Sequence, residues 1–502
     1  MASHGIVLII CDGMGYREAT SHNAIAQAKT PHLDYYRANY PFALLDASGE
    51  AVGLPEGQMG TSEANHLVIG SGRIVFQNLA KINRAVRNQQ LGVNVAIKEA
   101  FDHVKEFNSV LHIKSIISDG GVHGHIDHLK ALLSAAKNAG VKNIMLHLFT
   151  DGRDTAPKSA LGYIDDLESF MAEQKIGRIA SLGGRYWGMD RDNNDDRIEK
   201  HYLVMTAGIG QKFKSAREII LHNYEQDITD EYLEPALVEM ESGELGCIQA
   251  NDAVISANFR ADRAKQLTKK FVQADIDNLK YVAMTKYEDG LDVRIAFPPE
   301  EITHTLSQEL ASHNIKQLKV TETEKFAHLT FFFNAQIDQA ESGEDRILIT
   351  SNKDVISHDT KPEMKAFEIS QTVISAIKNN SHQFIATNLT NCDMVGHSGN
   401  VEAIVSAVEI VDTVVGQIVT AAQAHNFDVI ITADHGNAEE TFDQSTGQAL
   451  TAHTLNPVPF YFISNNYHHI NHTTGSLADI APTVLTMFNL PVPPEMTGQS
   501  FI

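Results

Sequence analysis

Only three cysteines occur among 502 residues, Cys11, Cys247 and Cys392. They are too few and too scattered for a disulfide framework or a thiolate zinc site, and a reducing cytoplasm is the expected compartment. Positive charge is also short: 40 Lys plus Arg face 63 Asp plus Glu, a formal net charge of -23. That balance argues against gripping nucleic acid or an anionic membrane by bulk electrostatics, so any anionic substrate must meet a local cationic cluster. Long apolar runs are missing. The N-terminal run at residues 6–11 is shorter than a signal-peptide core and ends on Asp12, and no uninterrupted run reaches the ~18 residues of a membrane span. No internal repeat, low-complexity tract or long flexible linker stands out. These absences leave a soluble, unexported chain whose length predicts about two to four domains, two being the economical reading.

Short β-branched runs alternate with longer amphipathic stretches, as in Val401–Ala424, where Ile404, Val408, Val411, Val415 and Ile418 repeat at helical spacing. The pattern is α/β. Parallel sheets of this class bind ligands beyond the carboxyl ends of their strands, so the residues found there are informative. Three runs end in aspartate: "IVLIICDG" in Asp12, "FIATNLTNCD" in Asp393 and "FDVIITADHG" in Asp434, followed by His435. In the middle of the chain the ends differ, finishing near His123, in Arg153 and Asp154, in Arg185 and Arg191, and in Arg260 and Arg263. Arginine suits planar, bidentate recognition of phosphate or carboxylate. From residue 311 onward, 192 residues contain one arginine, Arg346. This contrast predicts that residues 1–76 and 311–502 build one α/β domain with metal-like chemistry, interrupted by an anion-binding α/β domain at 77–310. The stretch "AFPPEE" around Pro298 and Pro299 is a plausible return crossing.

Asp393 and His397 are one helical turn apart in "CDMVGH", and His453 in "TAHTLNP" supplies a further imidazole. With Asp12, Asp434 and His435 they form an oxygen and nitrogen set large enough for two divalent ions, manganese or zinc by ligand type. Two such ions suit an in-line phosphoryl transfer. Singly, each aspartate reads as a helix cap and each histidine as a surface residue; as a set they read as a site. In "GQMGTSEANH" Ser62 is the candidate nucleophile, because Gly60 permits close approach and the following residues start a helix whose N-terminus favours a phosphate.

The stretches "DGMGYRE", "AVGLPEGQMGTSE", "GSGRIVFQ", "SDGGVHGHIDH", "FTDGRDTAP", "GGRYWGMDRD", "NFRADRAKQ", "EKFAHLTFFFN", "DMVGHSG", "TADHGNAEE" and "TAHTLNPVP" occur in order. Through them the chain resembles the cofactor-independent phosphoglycerate mutases of the alkaline phosphatase superfamily over essentially its whole length. The resemblance implies an alkaline-phosphatase-like domain carrying two manganese ions, with zinc or cobalt as alternatives, and an inserted substrate domain. One ion would be held by Asp12, Ser62, Asp434 and His435, the other by Asp393, His397 and His453. Substrate contacts would come from His123, Arg153, Asp154, Arg185, Arg191, Arg260, Arg263 and Lys325. The implied reaction, in glycolysis and gluconeogenesis, interconverts 3-phosphoglycerate and 2-phosphoglycerate without bisphosphoglycerate. Ser62 would take the phosphoryl group, Asp154 would act as general acid and base, and Lys325 would stabilise the transferring charge. Since every such residue lies in one chain, a cytoplasmic monomer is sufficient, with an open and a closed form expected. A metal-dependent phosphatase or phosphopentomutase is the rival reading, and proton competition at His397, His435 and His453 predicts lower activity below about pH 7.

The family's usual loop reads Gly-Asn-Ser-Glu-Val-Gly-His, where this chain has Gly60-Thr61-Ser62-Glu63-Ala64-Asn65-His66. Thr61 stands where the family has an amide that contacts the phosphoryl group, so its hydroxyl is expected to make that contact or the contact is lost, and Asn65 is expected to take up a backbone that a glycine adopts with positive φ. Cys11 and Cys392 stand beside ligand aspartates and are expected to point into the core as small hydrophobes, the rival reading being a redox-sensitive pair. His125 and His128 are expected to support the site or lie on the surface rather than bind a separate zinc.

Overall fold

The first apolar run becomes the strand Gly5–Cys11, in which every residue is buried. Such a continuous apolar run suits a parallel strand covered on both faces. A computed structural model describes residues 4–240, 242–274 and 276–502. The chain divides into two units, Met1–Gln77 with Glu301–Ile502, and Asn78–Glu300.

The sheet of the first unit runs, edge to edge, Glu344–Ile349, Gln317–Glu322, Phe384–Leu389, Gly5–Cys11, Phe427–Thr432, Val458–Ile463, Phe42–Asp46 and Thr474–Ser476. Val458–Ile463 is the reversed strand. Against this sheet lies the 24-residue helix Val401–Ala424, started by Asn400, whose side chain accepts from the Ala403 N–H. It is long and apolar enough to cross a membrane by length and composition, but Ile404, Val408, Val411, Val415 and Ile418 all belong to the core of this unit. Each such fully buried side chain contributes about 1.5–3 kcal/mol relative to exposure.

The second unit has its own sheet, ordered Arg294–Phe297, Lys280–Thr285, Ala253–Ser256, Leu111–Ile116, Ile144–Thr150, Arg178–Gly184, Ala236–Val238 and Gln211–Phe213. Its first six strands are parallel and the last two run against them. Ser256, Lys114, His147 and Ser181 are successive register partners, so they form a polar row across one sheet face. Lys114 is 3% exposed and its ammonium lies over the Tyr281 ring, 5.6 Å from the centroid. Burial pushes its pKa down to about 7.

The chain returns to the first unit at Glu301, earlier than the expected residue 311. The reason is the helix Leu306–Ser312: Thr305 and Gln308 close a capping box at its start, and Leu306 and Leu310 are fully buried in the core of the first unit.

Candidate active site

Four neighbouring strands of the first unit deliver the metal-type residues. Asp12 directly follows Gly5–Cys11, Lys325 closes the turn Thr323–Lys325 after Gln317–Glu322, Asp393 sits in the helix Asn391–Gly396 after Phe384–Leu389, and Asp434 and His435 follow Phe427–Thr432. Their carboxyl ends therefore converge, as expected for a mostly parallel sheet. Ser62 is the first residue of the helix Ser62–Ser71, with Thr61 as its N-cap. The Ser62 hydroxyl oxygen lies 2.9 Å from His435 Nε2 and 2.7 Å from Lys325 Nζ. The helix start turns free N–H groups and a positive dipole end toward that oxygen.

Two groups of side chains have one candidate ligand atom each within 4.8 Å of one another: Asp393, His435 and His453, and Asp12, His66 and Asp434. His397 belongs with the first, its Nε2 3.2 Å from Asp393 Oδ1, the same distance as His453 Nε2. Yet Asp393 Oδ1 is buried without a hydrogen-bond partner of proper alignment, and so is Asp434 Oδ2, although His66 Nδ1 and His435 Nε2 lie 3.5 and 3.4 Å from the latter. Each group thus contains an orphaned carboxylate oxygen facing imidazole nitrogens, an arrangement that a cation completes. Lys325 supplies a stand-in charge: its ammonium is 2.8 Å from Asp12 Oδ1 and 2.7 Å from Asp393 Oδ2. Oxygen and nitrogen donors without thiolate suit a divalent ion such as manganese, zinc or cobalt.

The electrostatics follow the same crowding. Burial and Asp434 push Asp12 well above the usual carboxylate range, against the pull of Lys325. Burial acts the same way on Asp393, but Lys325, His397 and His453 outweigh it and hold that carboxylate well below the range. Burial brings His435 down to about 4 and His66 to about 3, so both rings are neutral. Burial pushes both Cys11 and Cys392 upward, and both pack in the core as small hydrophobes.

Every expected metal residue is brought together, and His66 joins them. It lies one helical turn after Ser62, its Nδ1 2.9 Å from the Ser62 carbonyl oxygen, while Asn388 Nδ2 is 3.1 Å from its Nε2. The i,i+4 spacing in "SEANH" puts it on the Ser62 side of the helix, but nothing in the sequence marks its approach to Asp434. One expectation for this loop is corrected. Asn65 sits inside the helix, where no positive φ is needed, and its amide donates to the carbonyls of Ala47 at 2.9 Å and Asp434 at 2.6 Å. The Thr61 hydroxyl accepts from the Ala64 N–H at 3.3 Å, so it caps the helix.

In the second unit His123 and the arginines gather after four neighbouring strands, His123 after Leu111–Ile116 and the arginines after the other three. Arg185 is buried, and its Nη1 donates to Asp151 Oδ1 at 2.5 Å and Asp154 Oδ2 at 2.6 Å. His123 Nε2 is 3.9 Å from the same Asp154 oxygen, and its Nδ1 is 3.6 Å from Asp262 Oδ1. Asp262 also meets Arg191 Nη1 at 3.6 Å and Arg260 Nε at 3.2 Å. Arg263 donates to the Met189 carbonyl at 2.9 Å, and Arg153 reaches Glu231 at 3.3 Å. Burial, then Arg185, lowers His123 to about 4. For Asp151 burial works upward, but the Asp154 N–H, the Ser118 hydroxyl and Arg185 hold it below the carboxylate range. Asp151 and Asp262 stand inside "FTDGRD" and "NFRADR" and were not singled out in the sequence, because a carboxylate among arginines opposes the anion-binding signal. His125 caps the helix Ile126–Asn138, and His128 is buried, bonded to Asn83 at 2.6 Å.

A serine at a helix start thus stands beside two carboxylate–imidazole groups at the carboxyl ends of a mostly parallel sheet, an arrangement that suits metal-assisted phosphoryl transfer. Residues 281–457 match the family model described as type I phosphodiesterase / nucleotide pyrophosphatase, and residues 82–289 match that of the BPG-independent PGAM N-terminus. The chain is 44% identical to the 2,3-bisphosphoglycerate-independent phosphoglycerate mutase of Clostridioides difficile, covering 100% of both, and 42% identical to that of Moorella thermoacetica, covering 99% and 98%. A crystal structure of Leishmania mexicana phosphoglycerate mutase at low cobalt concentration matches with a TM-score of 0.55 and 28% identity, over 99% of this chain and 97% of that one. The chain belongs to the 2,3-bisphosphoglycerate-independent phosphoglycerate mutase family. The family and the two ligand groups together point to metal dependence.

Proposed function

We propose that this protein interconverts 3-phosphoglycerate and 2-phosphoglycerate through a phosphoserine at Ser62, without bisphosphoglycerate. The observation that carries the reading is the Ser62 hydroxyl, set at a helix start within 2.9 Å of His435 and 2.7 Å of Lys325 and flanked by both ligand groups. Two manganese ions, held by Asp12, Ser62, Asp434 and His435 and by Asp393, His397 and His453, would lower the hydroxyl pKa and offset the phosphoryl charge when bound. Ser62 Oγ, its proton released to solvent, attacks the phosphorus, the bond to the glycerate oxygen breaks, and Asp154 in its acid form gives that oxygen a proton. Arg153, Arg185, Arg191, Arg260 and Arg263 retain the glycerate by its carboxylate, which separates a mutase from a phosphatase. Asp154 takes the proton from the other hydroxyl as that oxygen attacks the phosphoserine and frees Ser62. Lys325 offsets charge on the moving phosphoryl group. One copy of the chain in the cytoplasm suffices, a reading supported by three free, scattered cysteines.

Incubation with 3-phosphoglycerate and manganese, followed by intact-protein mass spectrometry, tests this. The expected result is 2-phosphoglycerate and one added phosphoryl group on Ser62. Free phosphate without 2-phosphoglycerate, or a Ser62→Ala variant that turns over normally, would overturn it.

A further inference from the structure

Glu439 belongs to neither ligand group, yet it is fully buried and its carboxylate is shared among three loops. Oε2 accepts from the backbone N–H of Gly15 at 3.1 Å and of Asn437 at 2.9 Å. Oε1 accepts from Asn456 Nδ2 at 3.0 Å and from the Thr454 hydroxyl. Gly15 lies just past Asp12, Asn437 just past His435, and Thr454 directly after His453, so one side chain ties together three ligand-bearing loops. The fit leaves no slack: a Cβ on Gly15 would collide with the Glu439 carboxyl, and one on Gly436 with Oε1 and the Thr454 hydroxyl. Backbone bonds from Ala438 N–H to Gly13 O and from Thr454 N–H to Gly436 O, each 3.0 Å, brace the same three loops.

We infer that Glu439 is a positioning residue that sets the spacing of these loops and thereby the affinity of the site for its ions, an inference that rests on the metal reading above. A carboxylate is required because all four partners donate and an ionised carboxylate only accepts. Glutamine at 439 turns an N–H₂ toward donors on one side, so it separates loops that glutamate draws together. Groups that orient metal ligands in this way typically govern affinity by about 10–100-fold.

The test uses the full chain, stripped of metal and titrated with Co²⁺ against a chromophoric chelator while the visible cobalt absorption is followed. Wild type is expected to bind two equivalents, Glu439→Gln to bind both at least about tenfold more weakly with an altered cobalt spectrum, and Thr454→Val to weaken the equivalent held by His453. Glu344→Gln is the control for lost burial: Glu344 is a buried carboxylate of the same unit, paired with Arg346 at 2.7 Å and Lys319 at 3.3 Å, and its variant should lose stability but keep cobalt affinity. Wild-type affinity in Glu439→Gln, or an equal loss in Glu344→Gln, would overturn the inference alone. If Glu439→Gln does not fold, Thr454→Val decides, and unchanged affinity there overturns it. No cobalt uptake by wild type would overturn the metal reading and this inference with it.

Discussion

The Lys325 ammonium lies 2.7 Å from the Ser62 hydroxyl oxygen. Asp12 and Asp393 hold it there at 2.8 and 2.7 Å, and although burial opposes its charge, those carboxylates and Asp434 keep it protonated far above neutral pH. Lys325→Met keeps the length and removes the charge, and kcat should fall by about 10²–10³-fold. Steady-state turnover of 3-phosphoglycerate checks this, and wild-type kcat would remove Lys325 from the chemistry.

Asp154 accepts from Arg185 at 2.6 Å and has His123 at 3.9 Å. Asp154→Asn keeps the shape but removes the carboxylate that the proposed proton transfer requires. The expected outcome is a kcat lower by about 10²–10⁴-fold with KM changed by less than about threefold. A raised KM with unchanged kcat would assign Asp154 to binding alone.

Asn65 donates to two buried carbonyls from inside a helix. Asn65→Gly removes both bonds and adds helix-interior backbone entropy, so stability should drop by about 1–3 kcal/mol. Urea unfolding with an unchanged slope and a lower midpoint is the expected record.

Burial lowers Lys114 to about 7, against about 10.4 in the unfolded chain. Between those values the unfolded state binds the extra proton, so the buried lysine weakens folding most at and below pH 7, and the penalty fades as pH rises toward 10.4. Lys114→Met should therefore stabilise the protein by a few kcal/mol at pH 7 and by little near pH 10. Equal gains at both pH values would contradict the assignment.

His128 and His201 are buried and lowered by that burial to about 3. Unfolded, each takes up a proton near pH 6.5, so stability is lost as pH falls from 6.5 toward 3, by up to about 1.4 kcal/mol per pH unit for each ring. Thermal unfolding from pH 7 to pH 4 measures the slope, which His128→Asn should reduce.

The three ligand aspartates were legible because a strand end is marked in the sequence by an apolar run that stops on an acid. Lys325 carries no such mark, since one lysine after a strand reads as surface charge, and the family resemblance alone singled it out. His66 looked like any helical residue, because what defines it is the distance to Asp434, a partner remote in the chain. Asn65 was misread through the glycine it replaces: a glycine spelling suggested an unusual backbone, whereas the helix simply runs through and the amide reaches two carbonyls. Lys114 was invisible for a different reason. A lysine within a strand reads as solvent-facing, and only register shows that its row on the sheet is covered.

The strand Gly5–Cys11 is the first to emerge in synthesis, yet its two neighbours come from the far end of the chain; Asn388, which bonds Asp12, is 376 residues away. At roughly 5–20 residues per second, this strand waits about 20–75 s for its first partner. The unit at Asn78–Glu300, by contrast, is contiguous, so its strands find their partners within one stretch of chain. Through that wait the wholly apolar strand Gly5–Cys11 stays unpaired, the state in which shielding from aggregation is most needed.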